Sequence, residues 1–122
     1  MILVEYPKCT TCMKAKKYLQ SHHLEFVDRN IKEENPTIDE LSKWIPQSGK
    51  DSKKFFNTSG QLYRSGGIKD KLSTMTEEEK LALLATNGML VKRPILILAD
   101  TVLVGFKETE WEEALKRNKL IK

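Results

Sequence analysis

The sequence predicts an α/β fold built on a four-stranded mixed sheet. Three observations carry the prediction. The chain opens on a strand–helix–strand pattern, closes on a strand–strand–helix pattern, and places a helical block between them at about residues 36–90. The run Ile2-Leu3-Val4-Glu5-Tyr6 is apolar and β-branched, and Pro7 ends it, so it reads as a buried strand. A helix pattern starts at Thr10 or Thr11 and continues to about Ser21. Cys12, Ala15, Tyr18 and Leu19 repeat at three and four, while Lys14, Lys16 and Lys17 face out. Leu24-Glu25-Phe26-Val27-Asp28 alternates and reads as the second strand. A strand, a helix and a strand at this spacing form a βαβ unit, whose strands are parallel and whose crossover is right-handed.

The middle block is punctuated by caps. In Thr37-Ile38-Asp39-Glu40 the threonine hydroxyl can accept the Glu40 amide while the Glu40 carboxylate reaches back. Leu41, Trp44 and Ile45 form that helix's apolar face, and Pro46 and Gly49 close it. Asp51 can cap a short helix carrying Phe55 and Phe56; Asn57-Thr58-Ser59-Gly60 is turn chemistry. Gly66-Gly67 breaks the segment that follows. Thr76-Glu77-Glu78-Glu79 is a second capping box, opening a helix with Leu81, Leu84 and Ala85 inward and Asn87-Gly88 at its end. Ile95-Leu96-Ile97-Leu98 is a buried strand, and Asp100-Thr101 turns it into a hairpin with Val102-Leu103-Val104. Glu108 to Arg117 is a last amphipathic helix with Trp111, Ala114 and Leu115 on one side. No repeat, linker or low-complexity stretch interrupts the chain, so residues 1–122 are expected to form a single domain.

Composition narrows the function. With 39% hydrophobic and 31% charged residues over 122 positions, the chain has the make-up of a globular domain rather than a disordered one. Its longest apolar run, Pro94 to Ala99, is strand length, far below the roughly 20 residues of a membrane helix. The first residues lack a basic n-region and a cleavage site, so no signal peptide and a cytoplasmic location are expected. The net charge of +4 comes from 21 basic and 17 acidic side chains, mostly scattered lysines. Without clustering or interleaved aromatics, direct nucleic-acid binding is not expected. Only Arg29, Arg64, Arg93 and Arg117 are arginines, so each stands out.

Cys9 and Cys12 are the two cysteines, and their spacing is the most informative feature. They fall between the first strand and the first helix. The opening amides of a helix are unpaired and its N-terminal end is positive, which favours a thiolate at Cys9. Cys12, one turn on, can reach Cys9 and close a disulfide, which is dithiol redox chemistry in a βαβ setting. A structural zinc site wants four ligands, and the chain offers one cysteine pair with adjacent His22 and His23, which cannot both turn to one metal. The histidines read as surface residues at a helix end. Two inert buried thiols are the other structural alternative, against which the helix-start placement argues. A second feature is Val91-Lys92-Arg93-Pro94 before the third strand. An X-Pro bond adopts cis at a cost of only ~0.5–1 kcal/mol, and the residues leave cis and trans both open.

Cys9-Thr10-Thr11-Cys12 after the first strand, Asn57-Thr58-Ser59-Gly60, Arg93-Pro94-Ile95 and Val104-Gly105-Phe106 together resemble the ArsC family. That family holds glutaredoxin-coupled arsenate reductases, Spx-type redox regulators and many uncharacterised relatives. The resemblance covers nearly the whole chain. It implies a thioredoxin-like, glutaredoxin-type fold with an inserted helical subdomain, Cys9 as nucleophile, Arg93 facing it, and Pro94 in cis. The chain departs from the arsenate reductases, where the nucleophile precedes a Gly-Thr-Ser-Arg type stretch and further arginines stand near the positions of Asn57 and of Phe106 or Lys107. A tetrahedral oxyanion is best held by several planar guanidinium forks, and here Arg93 is the one candidate, with Arg64 a second cation from the insertion. The Cys-x-x-Cys pair resembles the Spx-like and uncharacterised branch. The expected function is a thiol–disulfide oxidoreductase, with Cys9 attacking, Cys12 resolving, and Arg93 and the helix terminus stabilising the sulfur anion. No metal or organic cofactor is expected. The expected reductant is a small thiol or a thioredoxin- or glutaredoxin-type partner. The alternatives are an Spx-like redox-switched regulator that binds RNA polymerase and, third, an arsenate reductase coupled to glutaredoxin or thioredoxin.

Overall fold

A computed structural model describes residues 1–122. Its sheet has four strands, β1 (Ile2–Glu5), β2 (Val27–Asn30), β3 (Ile95–Ile97) and β4 (Val102–Val104), in the order β2-β1-β3-β4. β1 and β2 are parallel, with Ile2 opposite Val27. β3 runs antiparallel to β1, with Leu3 opposite Leu96, and pairs with β4 as the expected hairpin. The helices are α1 (Thr10–Ser21), α2 (Ile38–Ser48), α3 (Gln61–Ser65), α4 (Ile68–Leu72), α5 (Glu77–Leu84) and α6 (Glu108–Arg117).

Successive strand residues point to opposite faces, and here each face has its own core. Leu3, Leu96 and Leu103 pack under α1 and α6 with Ala15, Leu19 and Trp111. Val4, Ile95 and Val104 pack under the insertion with Leu41, Phe55 and Leu84. The helical insertion therefore shares the sheet with the βαβ and ββα segments instead of closing a core of its own. Trp111 is fully buried, and its indole Nε1 donates to the Gly105 carbonyl at 3.0 Å.

Two local expectations are corrected. β2 starts at Val27, not Leu24; Leu24 and Phe26 pack against the α1–α6 core before pairing begins. As an edge strand with one free side, β2 tolerates Asp28, Arg29 and Asn30, so its apolar alternation marked the approach rather than the strand. Pro46 lies inside α2, which continues to Ser48; Gly49, in the left-handed conformation at φ 69°, makes the stop. Gly66-Gly67 breaks its segment as expected, with a five-residue helix on either side, α3 and α4. Helices this short carry no periodic signal and are held by packing.

Two ties position the insertion. Both capping boxes form as expected, at Thr37–Glu40 and Thr76–Glu79. Arg29 on β2 makes a two-pronged bond to the Glu40 carboxylate at 2.6 and 2.8 Å, and lies 5.5 Å above the Trp44 ring. The other tie is a close backbone approach. A Cβ on Gly88 would lie 1.9 Å from the Ile31 carbonyl oxygen, so no side chain fits there.

Candidate functional site

Cys9 is the N-cap of α1. Its backbone is extended, and its Sγ accepts the Cys12 amide at 3.4 Å, a role usually filled by a serine or aspartate oxygen. The first turn of α1 carries no acidic side chain to offset the positive helix end. Both cysteines are free thiols in unlike surroundings: Cys9 is half-buried and Cys12 is 1% exposed. Burial pushes the Cys12 thiol up to about 12, with the charges of Cys9 and Glu5 adding to the rise and the Tyr6 backbone amide opposing it.

In front of Cys9 lies an open cavity of about 480 Å³. Its walls come from the start of α1, the Asn57–Gly60 turn, Lys92-Arg93, and the Val104–Lys107 loop. Backbone bonds hold these distant pieces together. The Lys92 amide donates to Phe55 at 2.7 Å, the Asn57 amide to Leu90 at 2.8 Å, and the Gly105 amide to Pro94 at 2.8 Å. The Arg93–Pro94 peptide is cis, in agreement with the resemblance. The Arg93 guanidinium lies 5.4 Å over the Tyr6 ring, its Nη1 donates long bonds to the Met89 and Val91 carbonyls at 3.5 and 3.4 Å, and its Nε is buried without a partner. Lys92, Arg93 and Lys107 give the cavity three cations, and Thr11, Thr58 and Ser59 give it hydroxyls. The arrangement suits an anionic group presented to a sulfur nucleophile.

Of the expected site residues, Cys9 and Arg93 line this cavity and Cys12 sits behind Cys9. Arg64 does not join them. It lines an adjoining cavity with Tyr63 and Lys69 that shares only Thr58 with the first. His22 and His23 are exposed at the opposite end of α1. No group of three or more His, Cys, Asp or Glu side chains is arranged to hold a metal.

Sequence reasoning named Lys92, Thr58 and Ser59 only as members of motifs, without a role of their own, and it gave none to Glu5. Glu5 had a signal: a carboxylate inside an otherwise apolar, buried strand. It is 2% exposed, Lys16 approaches it at 3.9 Å, and its Oε1 has no partner. Burial pushes Glu5 up to about 7; a shared hydrogen bond with Asp28 and that residue's charge add to the rise, and Lys16 opposes it.

The chain is similar to known proteins over most of its length. Residues 4–114 match the model of the ArsC family. The chain is 51% identical over 108 residues to the uncharacterized protein YusI of Bacillus subtilis, covering 88% of this chain and 92% of that protein. It is 29% identical to the global transcriptional regulator Spx of Staphylococcus haemolyticus, over 91% of this chain and 83% of the regulator. Among solved structures, an ArsC family related protein from Bacteroides fragilis superposes with a TM-score of 0.90 at 54% identity, covering 92% of this chain and 94% of the other.

Proposed function

The chain belongs to the ArsC family, and we propose that within it the protein is a thiol–disulfide oxidoreductase working through Cys9 and Cys12. The observation that carries this reading is the contrast between the two thiols at one helix terminus. Cys9 opens onto the cavity and caps α1, while Cys12 is buried one turn behind it. In the proposed cycle the Cys9 thiolate attacks a substrate disulfide, forming a Cys9 mixed disulfide and releasing one substrate thiolate. Cys12, as thiolate, then attacks the Cys9 sulfur, closing the Cys9–Cys12 disulfide and releasing the second substrate thiolate. A small thiol or a thioredoxin- or glutaredoxin-type dithiol returns the pair to its reduced form. The positive end of α1 and the cations Arg93, Lys92 and Lys107 favour anionic sulfur and an anionic substrate tail.

The same groups support arsenate reduction poorly. The resemblance implies that arsenate reductases carry arginines near the positions of Asn57 and of Phe106 or Lys107; this chain has none there, and a lysine is a point charge without a fork. A redox-switched regulator is the second reading, favoured by the likeness to Spx over most of the chain; on that reading the Cys9–Cys12 disulfide changes a surface that meets RNA polymerase.

Cys12→Ser tests the oxidoreductase reading. A resolving cysteine removed leaves the Cys9 mixed disulfide standing, so the variant should retain substrate on Cys9 in a non-reducing gel, released by dithiothreitol. Adducts carried equally by a Cys9→Ser variant would contradict the assignment of Cys9 as nucleophile.

A further inference from the structure

We propose that Glu5 is the proton acceptor and donor for Cys12, taking the thiol proton as the Cys9–Cys12 disulfide closes and returning it when the disulfide is reduced. This rests on the proposed dithiol cycle and supplies the step that cycle lacks. A buried thiol cannot attack the Cys9 sulfur until it loses its proton, and Cys12 has no solvent to give it to.

Position comes from strand alternation. Leu3 points to the face covered by α1, where it packs with Ala15 and Leu19. Glu5, two residues on, points the same way, toward the first turns of α1. Lys16 is one turn beyond Cys12 on that helix, and its Nζ lies 3.9 Å from Glu5. The charged and titratable groups facing Glu5 are thus Cys12 and Lys16 from α1, with Cys9 beyond Cys12, and Asp28 from β2.

Chemistry singles out Glu5 among them. Asp28 is exposed and engaged by Lys16 in a salt bridge. Glu5 is buried, and its Oε1 is aimed at no donor. A buried carboxyl with one oxygen left unpartnered is a liability to stability, which an apolar residue would relieve. Its affinity for a proton, near neutrality through burial and Asp28, is that of a group able to both accept and release one under ordinary conditions. Asp28 and Lys16 at the surface then connect Glu5 to solvent.

The Cys12 S–H proton passes to the Glu5 carboxylate, the Cys12 sulfur bonds to the Cys9 sulfur, and the bond from Cys9 to the substrate sulfur breaks, its electron pair leaving on the substrate thiolate. On reduction, an incoming thiolate attacks Cys9, Cys12 departs as thiolate, and the Glu5 carboxyl protonates it.

The test uses the reduced full-length protein and an aromatic disulfide, dithiobis-nitrobenzoate. The first thionitrobenzoate released reports attack by Cys9, and the second reports closure by Cys12. In the wild type the closure rate should fall as pH drops through about 7, where Glu5 becomes protonated. In Glu5→Gln that inflection should vanish, with closure at least tenfold slower at pH 8 and rising in proportion to hydroxide, while the first release stays within about twofold. Glu5→Asp should keep an inflection at a reduced rate. Two outcomes overturn the proposal without touching the dithiol cycle: a wild-type closure rate with no break between pH 6 and 8, which needs no variant to fold, or a Glu5→Gln profile that matches the wild type. Release of only one equivalent by the wild type overturns the cycle and the role of Glu5 together.

Discussion

At the N-terminus of α1 two chemically identical thiols receive different environments, and three residues of spacing are enough to do it. Cys9 caps the helix at a cavity wall; Cys12 points into the protein, where desolvation holds its proton. Iodoacetamide at neutral pH should therefore modify Cys9 at least tenfold faster than Cys12. Arg93→Ala should slow modification of Cys9 several-fold by removing a cation that favours the thiolate, and Arg93→Lys should recover part of that loss. An unchanged Cys9 rate in Arg93→Ala would leave the helix terminus as the sole activating group. The cysteines were legible because Cys-x-x-Cys between a strand and a helix is specific, and Arg93 because arginine is scarce and this one precedes a proline. Glu5 was visible as a carboxylate within a buried strand, but which element covers that face is a tertiary fact, and its setting was legible only once α1 was in place.

Among the helices, those opened by a capping box or carrying a long apolar face were legible in the sequence, and the five-residue pair α3 and α4 was not. Thr37 and Thr76 announce α2 and α5 because a capping box satisfies two orphan amides with residues three apart in sequence. α3 and α4 have no side-chain cap and rely on burial of Tyr63, Ile68 and Leu72, a tertiary fact. The tie between β2 and α2 was equally invisible, since Arg29 and Glu40 are 11 residues apart and meet only after the sheet edge forms. Arg29 also donates to the Glu34 and Asn35 carbonyls, so it anchors the link between the two elements. Arg29→Ala should cost about 1–3 kcal/mol. The Arg29 bond and the Thr37 amide hold the Glu40 carboxyl below its ordinary value. A depressed carboxyl contributes stability that is fully present above the unfolded-state pKa and is lost as pH falls through the folded one. Denaturant melts of the wild type should therefore weaken below the ordinary glutamate range, and Arg29→Ala should flatten that part of the curve. A variant as stable as the wild type at neutral pH would show that this pair is not a structural anchor.

Across the whole molecule, two helical layers cover a four-stranded sheet, and the cavity opens where the C-terminal end of β1 meets the entrance to β3. Its walls are contributed by positions 9, 57–60, 92–93 and 104–107, which no local pattern could have gathered. Resemblance to the ArsC family collected the same segments because a family motif records which distant pieces meet. Whether Cys9 and Cys12 form one reversible redox pair is read from a count of free thiols. A disulfide closing so small a loop gains little from chain entropy and should be labile. The intact protein should show two free thiols when reduced, none after mild oxidation while remaining monomeric, and two again after dithiothreitol. Two free thiols persisting through oxidation that converts a small reference dithiol to its disulfide would contradict the claim.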